Sequence, residues 1–541
     1  MNDTNSNENT DQNPLKRVRC DYSLSDQDIM KLRKQNVLNE IEILKKTDKL
    51  VIYENQEIIA NNVVNAFKDC KIINIMVVSK TQSGKTGSMC ATIKQYLEDK
   101  NNLIPIENIY IITGLSSCEW KEQTKERMPE SIQRRVFHRC ELPNTFVDEI
   151  KDKKNILIIM DEIQVAAKKG QTIYKTFKNS GLFDKTKLYE NDVKILEYTA
   201  TPDGTIYDLM KWKDASTKLL AHVGEGYVSS YDLLQMGRVR QYKELCGYDK
   251  KTGIVYEKVF ENIQEIKNDI DNYVNPLYHI IRSKNGLEQE LTIQNFKQIF
   301  NTNSYEFIKY DRESEIEDIN KTLIIQPEKH TFIFIKEMLR CAKTLKKTYI
   351  GILYDRHSKK PDDTNIIQGL VGRDTGHDNN GISICYTNIN SIEKYEKLWQ
   401  SNFEDRSIKW NSKTTKYING ILSGKNTFND PKDYTGFSSA SDDDDDETND
   451  PVIKKFKTQE EAKEYYVKEL KEIMGGRGPN KIKPNENGYY EAVIRSTKKI
   501  YSCDEIKSER RQGLTENNYR LYPCYEDVND KTTLQWWFIH Y

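Results

Sequence analysis

From about Leu50 onward, short apolar runs rich in β-branched residues alternate with amphipathic stretches. A first series comprises INIMVV (Ile73–Val78), NIYIIT (Asn108–Thr113), VFH at Val136, NILIIM (Asn155–Met160) and VKILEYTAT (Val193–Thr201). A strand with one wet face alternates apolar and polar residues. Runs this continuous predict strands covered on both faces, and so a parallel sheet flanked by helices. A second series follows with YHIIRS (Tyr278–Ser283), YEFIKY (Tyr305–Tyr310), TFIFIK (Thr331–Lys336), YIGILYD (Tyr349–Asp355) and ISICYT (Ile382–Thr387). The fold class expected is therefore α/β, with two parallel-sheet blocks in tandem.

Around these blocks the pattern changes. Residues 1–25 read as a disordered tail, with a short basic cluster at Lys16, Arg17 and Arg19 that suits either a nuclear address or a solvated tail. A charged helix is predicted from Asp26 to about Lys46. Residues 210–274 are less regular and read as a connector or insertion, and 423–450, which contain Asp442–Asp446, as an acidic low-complexity linker. Thr458 with Glu461 forms a T-x-x-E capping box opening a helix. Residues 451–541 read as a small α+β accessory domain rich in aromatics. Lys498, Lys499, Lys507, Arg510 and Arg511, among Tyr489, Tyr490 and Tyr501, suit either a nucleic-acid surface or the rim of an aromatic core.

Composition narrows the function classes. With 82 Lys+Arg against 83 Asp+Glu in 541 residues, the chain is not a globally basic nucleic-acid coat. A local cationic groove stays open, because nearby charges set the field a ligand feels. No run of about 18 apolar residues is present to span a membrane. The polar N-terminus lacks the apolar core of a secretion signal, so an intracellular location, cytoplasmic or nuclear, is expected. The ten cysteines have no zinc-like spacing and read as reduced thiols.

Three stations carry chemistry. In SKTQSGKT (Ser79–Thr86) a buried strand runs into a loop and then an amphipathic helix bearing Met89, Ile93 and Leu97. Such a loop holds phosphate oxygens on backbone N–H groups and the helix N-terminus. Gly84 allows close approach, Lys85 neutralises the outer phosphates and Thr86 is placed for Mg²⁺, with Ser79, Thr81 and Ser83 completing the cradle. Ser79 stands where the usual motif opens with glycine, and Gln82 where glycine is also common. The second station is DEIQ (Asp161–Gln164), directly after NILIIM. Asp161 there suits Mg²⁺, and Glu162 suits polarising an attacking water. The third, TATP (Thr199–Pro202), ends another strand and by itself is an ordinary turn.

In this order SKTQSGKT, DEIQ and TATP resemble the superfamily 2 helicase and translocase family, DExx-box type, and QGLVGRDTGH is similar to helicase-like proteins of large DNA viruses and phages. The resemblance covers roughly Leu50 to Glu404. It implies two tandem RecA-like domains, residues 26–209 and 275–422, with ATP and Mg²⁺ bound between them and nucleic acid across the opposite face. It further implies that Gln56 contacts adenine and that Gln164, Thr199 and Thr201 couple nucleotide state to domain movement. Thr113, Gly114 and Trp120, with Gln123, would lie near the nucleic acid, although Trp120 equally suits a core. Gln368 and Arg373 would be catalytic, Arg373 as the arginine finger. The QGLVGR segment has one residue more than the family's usual Q-R-x-G-R spacing, and Gly376 stands where a second arginine is common; Arg340 or Lys343 would have to compensate.

Three functions fit: an ATP-dependent helicase or translocase; a motor subunit of a restriction, packaging or remodelling complex that does not separate strands; and an inactive nucleic-acid-binding scaffold. The intact Lys85, Thr86, Asp161 and Glu162 favour an enzyme. DEIQ in place of DEAD favours DNA over RNA as partner. Host-cell cytoplasm is the expected location if the chain is viral.

Overall fold

The computed structural model describes residues 25–114, 118–162, 171–249, 251–283, 287–311, 318–336, 339, 344–424, 427–429, 452–471, 478–494, 497–509, 514 and 518–540. The chain divides into two compact units, residues 1–437 and 438–541.

The first unit is built on two six-stranded sheets. Helices α1 (Asp26–Lys46) and α2 (Glu54–Ala66) precede β1 (Asn74–Ser79), α3 (Lys85–Glu98), β2 (Ile109–Thr113), α4 (Cys118–Glu126), β3 (Val136–His138), β4 (Ile156–Asp161), β5 (Val193–Thr199) and β6 (Ser216–Ala221). These strands form a sheet in the order β3-β2-β4-β5-β1-β6, every pairing parallel. The second sheet takes β7 (Val239–Gln241), β8 (Tyr278–Arg282), β9 (Tyr305–Tyr310), β10 (His330–Ile335), β11 (Ile350–Tyr354) and β12 (Ile384–Thr387) in the order β7-β12-β11-β8-β10-β9, again all parallel. Helices α5 (Asp363–Ile367), α6 (Leu370–Asp374) and α7 (Ile389–Gln400) flank its last strands. This is the architecture of two tandem RecA-like sheets.

The continuous apolar runs are explained by burial on both faces. In β1, Ile75 and Val77 point into one core, while Met76 and Val78 point into another. Likewise Ile280, Ile333 and Ile335 of the second sheet face one side, and Ile281, Phe332 and Phe334 the other. The core holding Met76 and Val78 also holds Ile280, Ile333 and Leu370, so one continuous apolar body joins the two sheets. Burial of this kind stabilises by roughly 25 cal/mol per Å² of apolar surface.

Two segments depart from the sequence reading. The stretch expected as a connector supplies an edge strand to each sheet: β6 pairs with β1 and β7 with β12. Both edges are short or only half-buried, so neither leaves a long apolar run to read. The acidic linker was expected from residue 423, yet Ser423 and Gly424 belong to a hairpin of β13 (Thr415–Ile418) and β14 (Ile421–Gly424). Thr427, Phe428 and Asn429 are then fully buried against the first sheet. Phe428 packs edge-on to Phe177 and Phe183, and the Asn429 amide donates to Glu197 at 3.1 Å.

In the second unit, β15 (Val452–Phe456), β18 (Tyr519–Tyr525) and β19 (Leu534–His540) form an antiparallel sheet, and β16 (Ala492–Ile494) pairs with β17 (Thr497–Lys499). The Thr458–Glu461 capping box is present at the start of α8 (Gln459–Tyr465). Tyr501 lies in the core with Tyr522 and Trp537. Lys498 and Lys499 are paired with Glu491 at 3.3 Å and Glu505 at 2.7 Å, which neutralises the basic cluster there. The side chain of Lys507, and Arg510 and Arg511, lie outside the described residues.

Candidate nucleotide site

The loop Lys80–Gly84 leaves the buried end of β1 and enters α3 at Lys85. Gly84 caps the helix in the left-handed region at φ 86°. A β-carbon there would also fall 2.1 Å from Gln56 Nε2, so glycine is required twice over. Gln82, standing where glycine is common, adopts φ 55° and holds a left-handed turn that costs an ordinary residue on the order of 1 kcal/mol. The loop is braced by Ser83 Oγ, which donates to the Lys80 carbonyl at 2.6 Å. Ser79 is buried as the last residue of β1, its hydroxyl without a hydrogen-bond partner among the described residues.

Gln56 lies beneath the loop. Its Nε2 donates to Ser83 O at 3.2 Å and its Oε1 accepts from Tyr53 N at 3.1 Å. It is buried, with both ends of the amide engaged, so here it braces the phosphate loop.

The carboxylate pair lies across from Lys85. Glu162 sits at φ 53°, another left-handed residue, directly after the end of β4. Its Oε1 meets Lys85 Nζ at 2.8 Å, and its carboxylate also accepts from Thr199 Oγ1 at 3.1 Å and Ala200 N at 3.2 Å. From the second sheet, Gln368 Nε2 donates to Glu162 Oε2 at 2.8 Å. One carboxylate therefore joins the phosphate loop, the TATP turn and the QGLVGR segment.

Asp161 is buried beside it, and Trp120 hydrogen-bonds its side chain. Burial raises its carboxyl, with Lys85 opposing and Glu162 adding to the rise. Asp161 Oδ1 has no hydrogen-bond partner among the described residues. A buried acceptor left unsatisfied is costly and fits a cation supplied from outside the chain. With Thr86 at the first turn of α3, the donor set suits a hard, oxygen-liganded divalent ion such as Mg²⁺.

The remaining expected residues fall out as follows. Thr113 and Gly114 lie beside the carboxylates: Gly114 N donates to Asp161 O at 2.9 Å, and a β-carbon on Gly114 would come within 2.3 Å of Glu162 O. Trp120 is buried with its side chain hydrogen-bonded to Asp161. Thr201 N donates to Thr199 Oγ1 at 3.1 Å, which fixes the TATP turn. Arg373 is buried, and its Nη1 donates to Gln368 O at 2.6 Å and Gly369 O at 2.9 Å, holding the segment that presents Gln368. Gln164, Arg340 and Lys343 lie outside the described residues.

Several contacts had no local signal. Thr375 Oγ1 and Tyr227 OH donate to Thr81 O at 3.0 and 2.5 Å, closing the second sheet's side onto the loop. Asp203, just after TATP, accepts from Trp410 Nε1 at 2.8 Å and Thr414 Oγ1 at 3.3 Å, and burial pushes its carboxyl up to about 7. Among the missed residues, Lys80 and Thr375 lie inside segments that the sequence reading singled out, SKTQSGKT and QGLVGRDTGH.

No protein-family model matches the chain. It is 27% identical over 401 residues to an uncharacterized protein of Acanthamoeba polyphaga mimivirus, covering 69% of this chain and 94% of that one. Among solved structures it is similar to the Escherichia coli DEAH/RHA helicase HrpB, with TM-score 0.40, 13% identity, and 63% of this chain and 43% of that chain covered. It is also similar to S. cerevisiae Dbp5 bound to RNA and ADP BeF3, with TM-score 0.39, 12% identity, and 70% and 93% covered.

Proposed function

We propose that the chain is a nucleic-acid-stimulated ATP hydrolase that uses turnover to move its two sheets relative to one another, as a helicase or translocase does. The observation that carries this reading is the chain of contacts Lys85–Glu162–Gln368, at 2.8 Å each, running from the phosphate loop across to the second sheet. In that arrangement Glu162 is held by Lys85 until a polyphosphate competes for the ammonium. Once released, Glu162 is placed to accept a proton from the attacking water, and Gln368 to orient the same water. Thr86 and Asp161 would hold Mg²⁺, which when bound neutralises charge developing on the phosphate oxygens. The Thr199–Ala200 contacts to Glu162 pass any shift of that carboxylate into the TATP turn. Arg373 keeps Gln368 in place and is the candidate for stabilising the transferred phosphoryl group.

DNA is the favoured polymer, on the ground of DEIQ. Phosphate release is to be measured for wild type and Lys85→Ala, alone and with single- or double-stranded DNA or RNA. Turnover that needs Lys85 and rises with one of these polymers supports the reading, and strand displacement on that polymer then separates a helicase from a non-unwinding motor. Equal release by both proteins sinks it.

A further inference from the structure

Helix α7, which follows the last strand of the second sheet, belongs to none of the stations the sequence identified, yet it touches two of them. Lys80 Nζ, inside the phosphate loop, pairs with Glu396 Oε2 at 3.1 Å and lies 5.1 Å from the centre of the Trp399 ring. Both charged side chains are largely buried, at 11% and 14% exposure. One residue earlier, Tyr395 OH donates to Ala200 O of the TATP turn at 2.6 Å. Residues 395, 396 and 399 fall within about one helical turn, so a single rigid surface meets both stations.

The same helix is fixed to the element presenting Gln368. Ser391 Oγ and Lys394 Nζ donate to the buried carboxylate of Asp363 at 2.5 and 3.0 Å. Asp363 opens α5, whose C-cap is Gln368. Thus α5 and α7 are bonded together, and between them bring Gln368 to Glu162, Glu396 to Lys80 and Tyr395 to Ala200.

We infer that Lys80 and Glu396 form a latch that holds the second sheet in the juxtaposition where Gln368 meets Glu162, and that Lys80 is a positioning residue for hydrolysis. This rests on the hydrolase reading above. An ion pair removed from water adds little net folding stability, because desolvation offsets attraction. Its effect falls instead on which arrangement of the two sheets is adopted, since the pair forms only when they meet. The ring of Trp399 beneath the ammonium narrows the choice of cation further. Phosphate arriving in the loop brings negative charge close to Lys80, so nucleotide state and latch strength are linked.

The test compares wild type with Lys80→Met, Glu396→Gln, the double variant and Lys80→Arg in steady-state ATP hydrolysis. In parallel, energy transfer is measured between dyes on click-reactive residues at the strongly exposed Leu103 and Val274, one beside each sheet, with a non-hydrolysable ATP analogue. The latch predicts that each single neutral variant lowers kcat about ten-fold, while KM stays within about two-fold. The double variant is no slower than the slower single, Lys80→Arg restores most of the rate lost in Lys80→Met, and the inter-dye distance widens in the neutral variants. Full kcat with unchanged distance in both single variants, or losses that multiply in the double variant, overturns it. If wild type releases no phosphate, the hydrolase reading fails by itself. The distance in Glu396→Gln against wild type then still decides the latch: widening sustains it and an unchanged distance overturns it.

Discussion

The two sheets of the first unit are the same object built twice: six parallel strands with apolar cover on both faces. They differ in what they place at the cleft. The first sheet brings the charges, Lys85, Asp161 and Glu162, and holds parts of its loops in left-handed backbone at Gln82 and Glu162. The second sheet brings a neutral amide, Gln368, from the regular end of a helix, with Arg373 bonded behind it. Strain therefore gathers on the side that would bind phosphate, where a tight loop must aim N–H groups and carboxylates inward. The partner side only has to arrive in register. Their buried titratable groups also contrast. The first sheet encloses Glu197 between Asn74 and Asn429, whereas the second encloses His279 against His330 at 3.0 Å.

If the first sheet is the chemical half, Lys85→Ala should remove turnover by on the order of a thousand-fold in phosphate-release assays. Residual turnover near wild type would erase the distinction between the halves. Arg373→Ala should retain ATP binding, measured with a fluorescent analogue, and lose kcat by about a hundred-fold, through lost charge stabilisation and a displaced Gln368. Normal hydrolysis by that variant would leave the second sheet a passive cover. Phe428→Ala tests whether the segment after β14 truly belongs to the first sheet: emptying a fully buried ring site should cost about 3–5 kcal/mol in denaturant unfolding.

The smallest effects separate the halves by pH. Burial pushes the Glu197 carboxyl up to about 7 from its usual value of 4.5, so the folded state binds the extra proton. Stability from this site is full below about pH 4.5 and falls as pH rises through 7, and Glu197→Gln should flatten that decline in thermal melts between pH 5 and 8. His279 runs the other way. Burial holds its pKa well below 6.5, so stability is full above pH 6.5 and is lost as pH falls. His279→Phe should remove that acid-side loss, at a cost of about 1–3 kcal/mol at neutral pH, because Ile352 N–H loses its acceptor. A variant that changed both limbs equally would show that the sheets do not unfold as distinguishable parts.

Much of this was readable from the chain because it is local. Whether a strand is covered on both faces is written in six consecutive residues, as in NILIIM. A strand, a short loop and a helix in succession are likewise written in a few consecutive residues, as in Asn74–Glu98. The ten apolar runs accordingly became ten strands, and Asp161, Glu162 and Lys85 came together at the strand ends where parallel sheets expose their loops. Two of the four edge strands escaped notice, since β6 is only half-buried and β7 is three residues long, and both leave little apolar signal.

What only the tertiary structure decided is which distant groups satisfy one another. Gln56, expected to face a base, has its amide engaged by Tyr53 N and Ser83 O. Asn429, in a stretch as polar as any linker, is buried because Glu197, 232 residues away, needs a donor. Lys80 reads as one more lysine until Glu396, 316 residues further on, and Trp399 on the same helix arrive beside it. Apolar periodicity is fixed by neighbours along the chain, whereas a buried polar group must find its partner wherever folding brings one. The sequence by itself therefore set the two sheets and the strand–loop–helix at Ser79–Thr86; the long-range pairings across the cleft were decided by desolvation, which leaves no local pattern.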